Sequence, residues 1–147
     1  MAAIARLAGM LVLLLAAVAA AAQTKVPSER PLEALVKSAL LSFNDANLTG
    51  NYTVFHAKLS KPFRQQFTVE KLKDTFKEFN EKSIDIDIVS AMKPTYSVAP
   101  SVDGDGKLNV KGFFPTDPTR VNFELSFIPS DGEWKLISIN VKLGPAS

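Results

Sequence analysis

The chain has 147 residues, 46% of them hydrophobic, and its 17 basic and 15 acidic side chains leave a formal charge of +2. That length holds one domain. With no cysteine and a single histidine, His56, the composition excludes a disulfide scaffold, a thiolate metal site, a thiol nucleophile, a lipidated N-terminal cysteine and a multi-histidine metal centre.

Arg6 precedes an apolar run from Leu7 to Ala22 that contains Leu11-Val12-Leu13-Leu14-Leu15 and ends rich in alanine. The run falls short of the roughly 20 residues that cross a bilayer, and the small residues Ala20 and Ala22 suit a signal peptidase. It therefore reads as a secretory signal peptide over residues 1–22, cut between Ala22 and Gln23, with an uncleaved N-terminal anchor as the alternative. Cleavage would leave a periplasmic or secreted protein with no membrane span. Residues 23–30 read as a flexible lead-in, 31–143 as the single domain and 144–147 as a tail. No segment carries five or six like charges in a row, so nucleic acid is not an expected partner.

Along the remaining chain the spacing predicts three helices and then strands. Ser28 caps the first helix, Pro31 sits in its first turn, and Leu32, Leu35, Val36, Ala39, Leu40 and Phe43 recur at three and four residues. Asn44-Asp45-Ala46-Asn47 and Gly50 are expected to loosen it. In the second helix Tyr52, Phe55, His56 and Leu59 share a face, and Lys61-Pro62 stops it. An apolar link, Phe63 to Phe67, leads to Thr68, the cap of a third helix with Val69, Leu72, Phe76 and Phe79 on one face. Its opposite side mixes Glu70, Lys73, Asp74, Lys77, Glu78 and Lys82 and reads as a solvated surface.

From Ile84 the period becomes two. Ile84, Ile86 and Ile88 alternate with Asp85, Asp87 and Val89, which predicts a strand with its isoleucines buried and its aspartates wet. A second strand is expected near Thr95 to Val102, returning through Asp103-Gly104-Asp105-Gly106 as Lys107 to Phe114. Val121, Phe123, Leu125 and Phe127 share one face of the next. Pro129-Ser130-Asp131-Gly132 turns into a last strand, Glu133 to Leu143, in which Ile137, Ile139 and Val141 alternate with Trp134, Leu136 and Ser138. Helices before an antiparallel meander make an α+β domain.

That order, ending in Gly132-Glu133-Trp134-Lys135-Leu136-Ile137-Ser138-Ile139, resembles the nuclear transport factor 2-like (cystatin-like) superfamily over about Pro31 to Leu143. The resemblance implies a cone of three helices on a curved antiparallel sheet of about five strands, enclosing a pocket. Different members use that pocket for isomerase, dehydratase or cyclase chemistry, or only to bind, and some pair into homodimers through the sheet.

Several residues can be weighed against chemistry. Asp85 and Asp87 sit opposite the isoleucines and so lie outside an inward pocket. His56 is the one histidine of the chain, of the residue type most often used as a general acid or base, and follows Tyr52 by one turn, with Asp45 as an orienter, so His56, Tyr52 and Asp45 are the expected catalytic set if the protein is an enzyme. Asp103-Gly104-Asp105-Gly106 lacks the sixth-position glycine and twelfth-position carboxylate of a calcium loop and reads as a hairpin. Asn47-Leu48-Thr49 and Asn51-Tyr52-Thr53 are sequons that matter only in a glycosylating pathway, and the alanine-rich leader looks bacterial. Tyr52, His56, Tyr96, Phe113 and Trp134 are the expected ligand-facing residues, since tyrosine and tryptophan offer polar tips on apolar bodies. Neither a cofactor nor a metal is expected. The leading expectation is a non-catalytic binding or interaction module for a small apolar ligand, a peptide, an envelope protein or a second copy. The alternatives are a cofactor-independent isomerase, dehydratase or cyclase, and a structural accessory domain of an envelope assembly.

Overall fold

The computed structural model describes residues 25–145. The expected signal peptide and its cleavage point lie outside them. Helix α1 (Glu29–Thr49) buries Leu32, Val36, Leu40 and Phe43 along one stripe and does not loosen at Asn44. Asn44 and Asn47 are themselves buried, and both are supplied with partners. Asn44 donates to Asp85 (2.9 Å) and accepts the Ile86 N–H (3.0 Å), while Asn47 accepts the Tyr52 hydroxyl at its side chain and Asn80 Nδ2 at its carbonyl (2.7 Å). Buried amides engaged in this way do not break a helix. The stop comes at Gly50, whose φ of 71° is the left-handed cap that glycine accepts, with its N–H on the Ala46 carbonyl.

The described residues hold five α-helices rather than the expected three, and both differences are local. After α2 (Thr53–Lys58), the stretch expected as an apolar link is α3 (Lys61–Gln66), because Pro62 falls within the first turn, where its missing N–H costs nothing. The third expected helix is divided at Phe76 into α4 (Val69–Thr75), capped by Thr68 accepting from the Lys71 N–H, and α5 (Lys77–Glu81). Phe43 gathers this layer. Its ring meets those of Phe55, Phe76 and Phe79 edge-on at centroid separations of 5.8, 4.8 and 5.2 Å. The charged exterior carries the i,i+4 pairs Lys82–Glu78 and Lys77–Glu81.

No strand forms at Ile84 to Val89; a 3-10 helix occupies Asp87–Ala91 instead. Asp85 accepts the Asp87 N–H at 2.9 Å, closing a side-chain turn that competes with extension. Ile86 and Val89 are buried while Ile88 is 57% exposed, so the isoleucines share no face. The segment between it and the turn at Asp103 gives two short strands, β1 (Thr95–Tyr96) and β2 (Ser101–Val102), both antiparallel to β3 (Leu108–Phe114). Then β4 (Arg120–Ser130) and β5 (Glu133–Gly144) complete a five-stranded antiparallel sheet. Asp131 and Gly132, at φ 54° and 80°, make the two-residue turn between them.

Leu108, Val110, Phe114, Val121, Phe123, Leu125 and Phe127 point to the helices and join α1 in one core. The opposite face is polar, with Lys111 paired to Glu124 at 3.1 Å and Ser126 bonded to Asn109 at 2.7 Å. The pairing of β4 with β5 slips once. Ser126 pairs with Ser138 but Phe127 pairs with Leu136, which leaves Ile137 as a bulge. The extra residue reverses parity, so Leu136 and Trp134 fall on the same inward face as Ile139 and Val141, where strict alternation separates them. Among the described residues no helix is long and apolar enough to cross a membrane.

Candidate functional site

A cleft of about 730 Å³ opens between the first half of α1, α2 and the start of β5. Its position follows from the periodicity of α1. Leu35, Ser38, Ala39 and Ser42, at three- and four-residue spacing, form a stripe beside the buried one that lines the cleft, with Leu35 and Ala39 also packed against the core. Phe55 of α2 and Leu59 just after it reach its floor, Phe127 and Leu136 bring the sheet, and the bulge at Ile137 turns Trp134 into its wall. The chain from Lys25 to Pro27 borders it.

The polar lining is sparse. Lys25, Lys58, Lys135 and Glu133 are its charged residues and Ser38 and Ser42 its hydroxyls. Lys58 Nζ donates to Ser42 Oγ at 3.0 Å, across the gap between α2 and α1. Lys135 Nζ donates to Asp131 Oδ2 at 3.1 Å, and this bond, with the Lys135 charge and more distant Arg64 and Lys61, holds the Asp131 carboxyl below its ordinary range. Among the described residues neither Lys25 nor Lys58 makes an ion pair. The cleft is therefore apolar at its floor and cationic at its rim.

Of the five residues expected to face a ligand, the structure places Trp134 in this cleft and the other four elsewhere. Tyr52 is buried, with its hydroxyl on Asn47 Oδ1, and burial pushes its pKa up. His56 lies half-buried with Nε2 2.8 Å from the Phe67 carbonyl and 3.3 Å from that of Arg64. Two carbonyls accept only, so this nitrogen carries the proton and ties α2 to the end of α3. Tyr96 on β1 is half-buried, its pKa raised by burial and then by the charges of Glu33 and Glu29. Phe113 lies on the outer sheet face under the Arg120 guanidinium, 4.1 Å from its ring centroid. Asp45, the expected orienter, is exposed, and its carbonyl accepts from Thr49. The structure thus does not bring Tyr52, His56 and Asp45 to one cavity.

Lys58 and Ser42, which meet in the cleft, escape notice in the sequence because they stand sixteen residues apart on different helices. The one available signal is the second stripe of α1, where small and hydroxyl residues replace leucine. No family model matches the chain, and no curated protein or solved structure matches it significantly.

Proposed function

We propose that the protein is a non-catalytic binding module of the nuclear transport factor 2-like type, exported to the periplasm or beyond, which holds a small apolar ligand in the cleft between α1, α2 and β5. The observation that carries this reading is the cleft itself. Its volume falls in the range of roughly 300–1,000 Å³ that accommodates drug-sized ligands, and apolar side chains supply most of its wall. Its polar residues are three lysines, one glutamate and two serines, a set suited to orienting a ligand. The groups an acid–base reaction would recruit, Tyr52 and His56, are engaged with Asn47 and with backbone carbonyls outside it.

The chain supplies its own reporter, since its single tryptophan lines the cleft. Native mass spectrometry of the protein isolated from its own cells should show an adduct that organic extraction removes, and titration of the extracted protein with dodecan-1-ol should shift Trp134 emission saturably. An adduct-free spectrum together with a flat titration would sink the binding reading.

A further inference from the structure

We propose that the ligand is a single-chain amphipath with a carboxylate head, of the fatty-acid class, and that Lys58 with Ser42 receives the head. This rests on the binding-module reading above. The argument is one of charge and geometry. An apolar floor formed by Leu35, Ala39, Phe55, Leu59, Phe127 and Leu136 suits a hydrocarbon chain, and it ends at a rim where lysines outnumber the one lining carboxylate, Glu133. Lys135 is already satisfied by Asp131 at 3.1 Å. Lys58 meets no carboxylate among the described residues; its ammonium is steered toward α1 by the Ser42 hydroxyl, 3.0 Å away.

That hydrogen bond uses a lone pair of Ser42 Oγ and leaves its O–H free to donate. An ammonium with two remaining N–H groups and an adjacent O–H together present donors to both oxygens of a carboxylate, and a charge-assisted bond of this kind is the stronger sort. One cleft of this size takes one chain, which favours a fatty acid over a two-chain lipid.

The test compares dodecanoate, dodecan-1-ol, dodecyl phosphate and dodecyltrimethylammonium below their micellar concentrations, read by Trp134 emission on the extracted protein at mildly alkaline pH. Dodecanoate should bind about fivefold or more tightly than dodecan-1-ol, a modest factor because Lys58 is solvent-exposed. Lys58→Met should bring that ratio near one, and Lys58→Arg should restore it. Melting temperatures of both variants show that the fold is kept. Equal affinity of dodecanoate and dodecan-1-ol in the unaltered protein overturns the carboxylate assignment while leaving the binding module standing. Tighter binding of dodecyl phosphate or of the cationic amphipath overturns it too. Absence of binding by all four removes the underlying reading.

Discussion

Asn44→Ala tests the polar clasp that joins α1 to the segment leading into the sheet. Asn44 is 2% exposed, and only one orientation of its amide fits, because Nδ2 must face the Asp85 carboxylate and Oδ1 must face the Ile86 N–H. Alanine removes both partners at once. The Ile86 N–H is then left buried without an acceptor, which costs about 1–3 kcal/mol, and the loss of the bond to an exposed carboxylate adds about 1 kcal/mol. The expected destabilisation is about 2–4 kcal/mol, a large part of the roughly 5–15 kcal/mol that holds a domain together.

A pH dependence distinguishes this cause from simple loss of packing. The hydrogen bond from Asn44 is the chief reason the Asp85 carboxyl lies below its ordinary range, followed by the Asp87 N–H. A depressed carboxylate pKa stabilises the fold above the unfolded value, and that contribution vanishes as pH falls through the folded value. The gap between Asn44→Ala and the unaltered protein should therefore be widest at about pH 7 and narrow below about pH 3. Urea unfolding followed by Trp134 fluorescence at both pH values gives the two differences. A difference under about 0.5 kcal/mol at neutral pH, or one that does not shrink in acid, refutes the clasp.

Three further substitutions probe other joints. Among the described residues Ser60 Oγ, which is buried, has no hydrogen-bond partner, so Ser60→Ala should leave thermal stability unchanged or raise it slightly, by at most about 1 kcal/mol; a clear loss would mean that the hydroxyl has a partner. A Cβ at Gly112 would press into the Thr95 carbonyl and against the Phe123 ring, so Gly112→Ala should prise β1 from β3 at a cost of about 1–3 kcal/mol, seen as faster amide exchange at Ser97, whose N–H donates to the Lys111 carbonyl at 3.0 Å. Ala39→Phe fills the cleft from the α1 side, where the position is half-buried, and should abolish the Trp134 response to dodecan-1-ol while the melting temperature stays within a few degrees.

The helical face of α1 and strands β3, β4 and β5 were legible in the sequence because a long amphipathic period outlasts local exceptions. The hairpin at Asp131-Gly132 was legible for a different reason: two positive φ values demand those residue types. The segment from Ile84 to Val89 misled because its alternation is real, yet alternation registers only in a chain that stays extended. Here the side chain of Asp85 captures the backbone two residues on, and Asn44, distant in sequence, pulls the same carboxylate from the other side. Asn44-Asp45-Ala46-Asn47 misled in the opposite direction. Asparagine disfavours helix when its amide competes for its own backbone, and Asn44 and Asn47 have instead found partners on Asp85, Ile86 and Tyr52. Tertiary partners decided both cases, and spacing carries no record of them.

The candidate site was hidden by a single inserted residue. Strict alternation along β5 assigns Trp134 and Leu136 to the face opposite Ile139 and Val141. The bulge at Ile137 puts all four on one side, where Leu136 is buried against Phe127 and Trp134 reaches the cleft. Without the bulge, Trp134 would lie on the polar outer face with Lys111, Glu124 and Ser126, and the cleft would lose its wall on the sheet side. The backbone amide of Ser60 donates to the Leu136 carbonyl at 3.0 Å, one residue before the bulge, so the chain between α2 and α3 is fastened where the strand changes parity. That fastening holds Ser60, and with it the buried Leu59, beside β5. The same irregularity therefore creates the apolar wall on the sheet side and lies beside the point where the chain between α2 and α3 is fastened. A cleft built on a bulge is where binding residues accumulate, since a bulge re-aims side chains without altering the rest of the sheet.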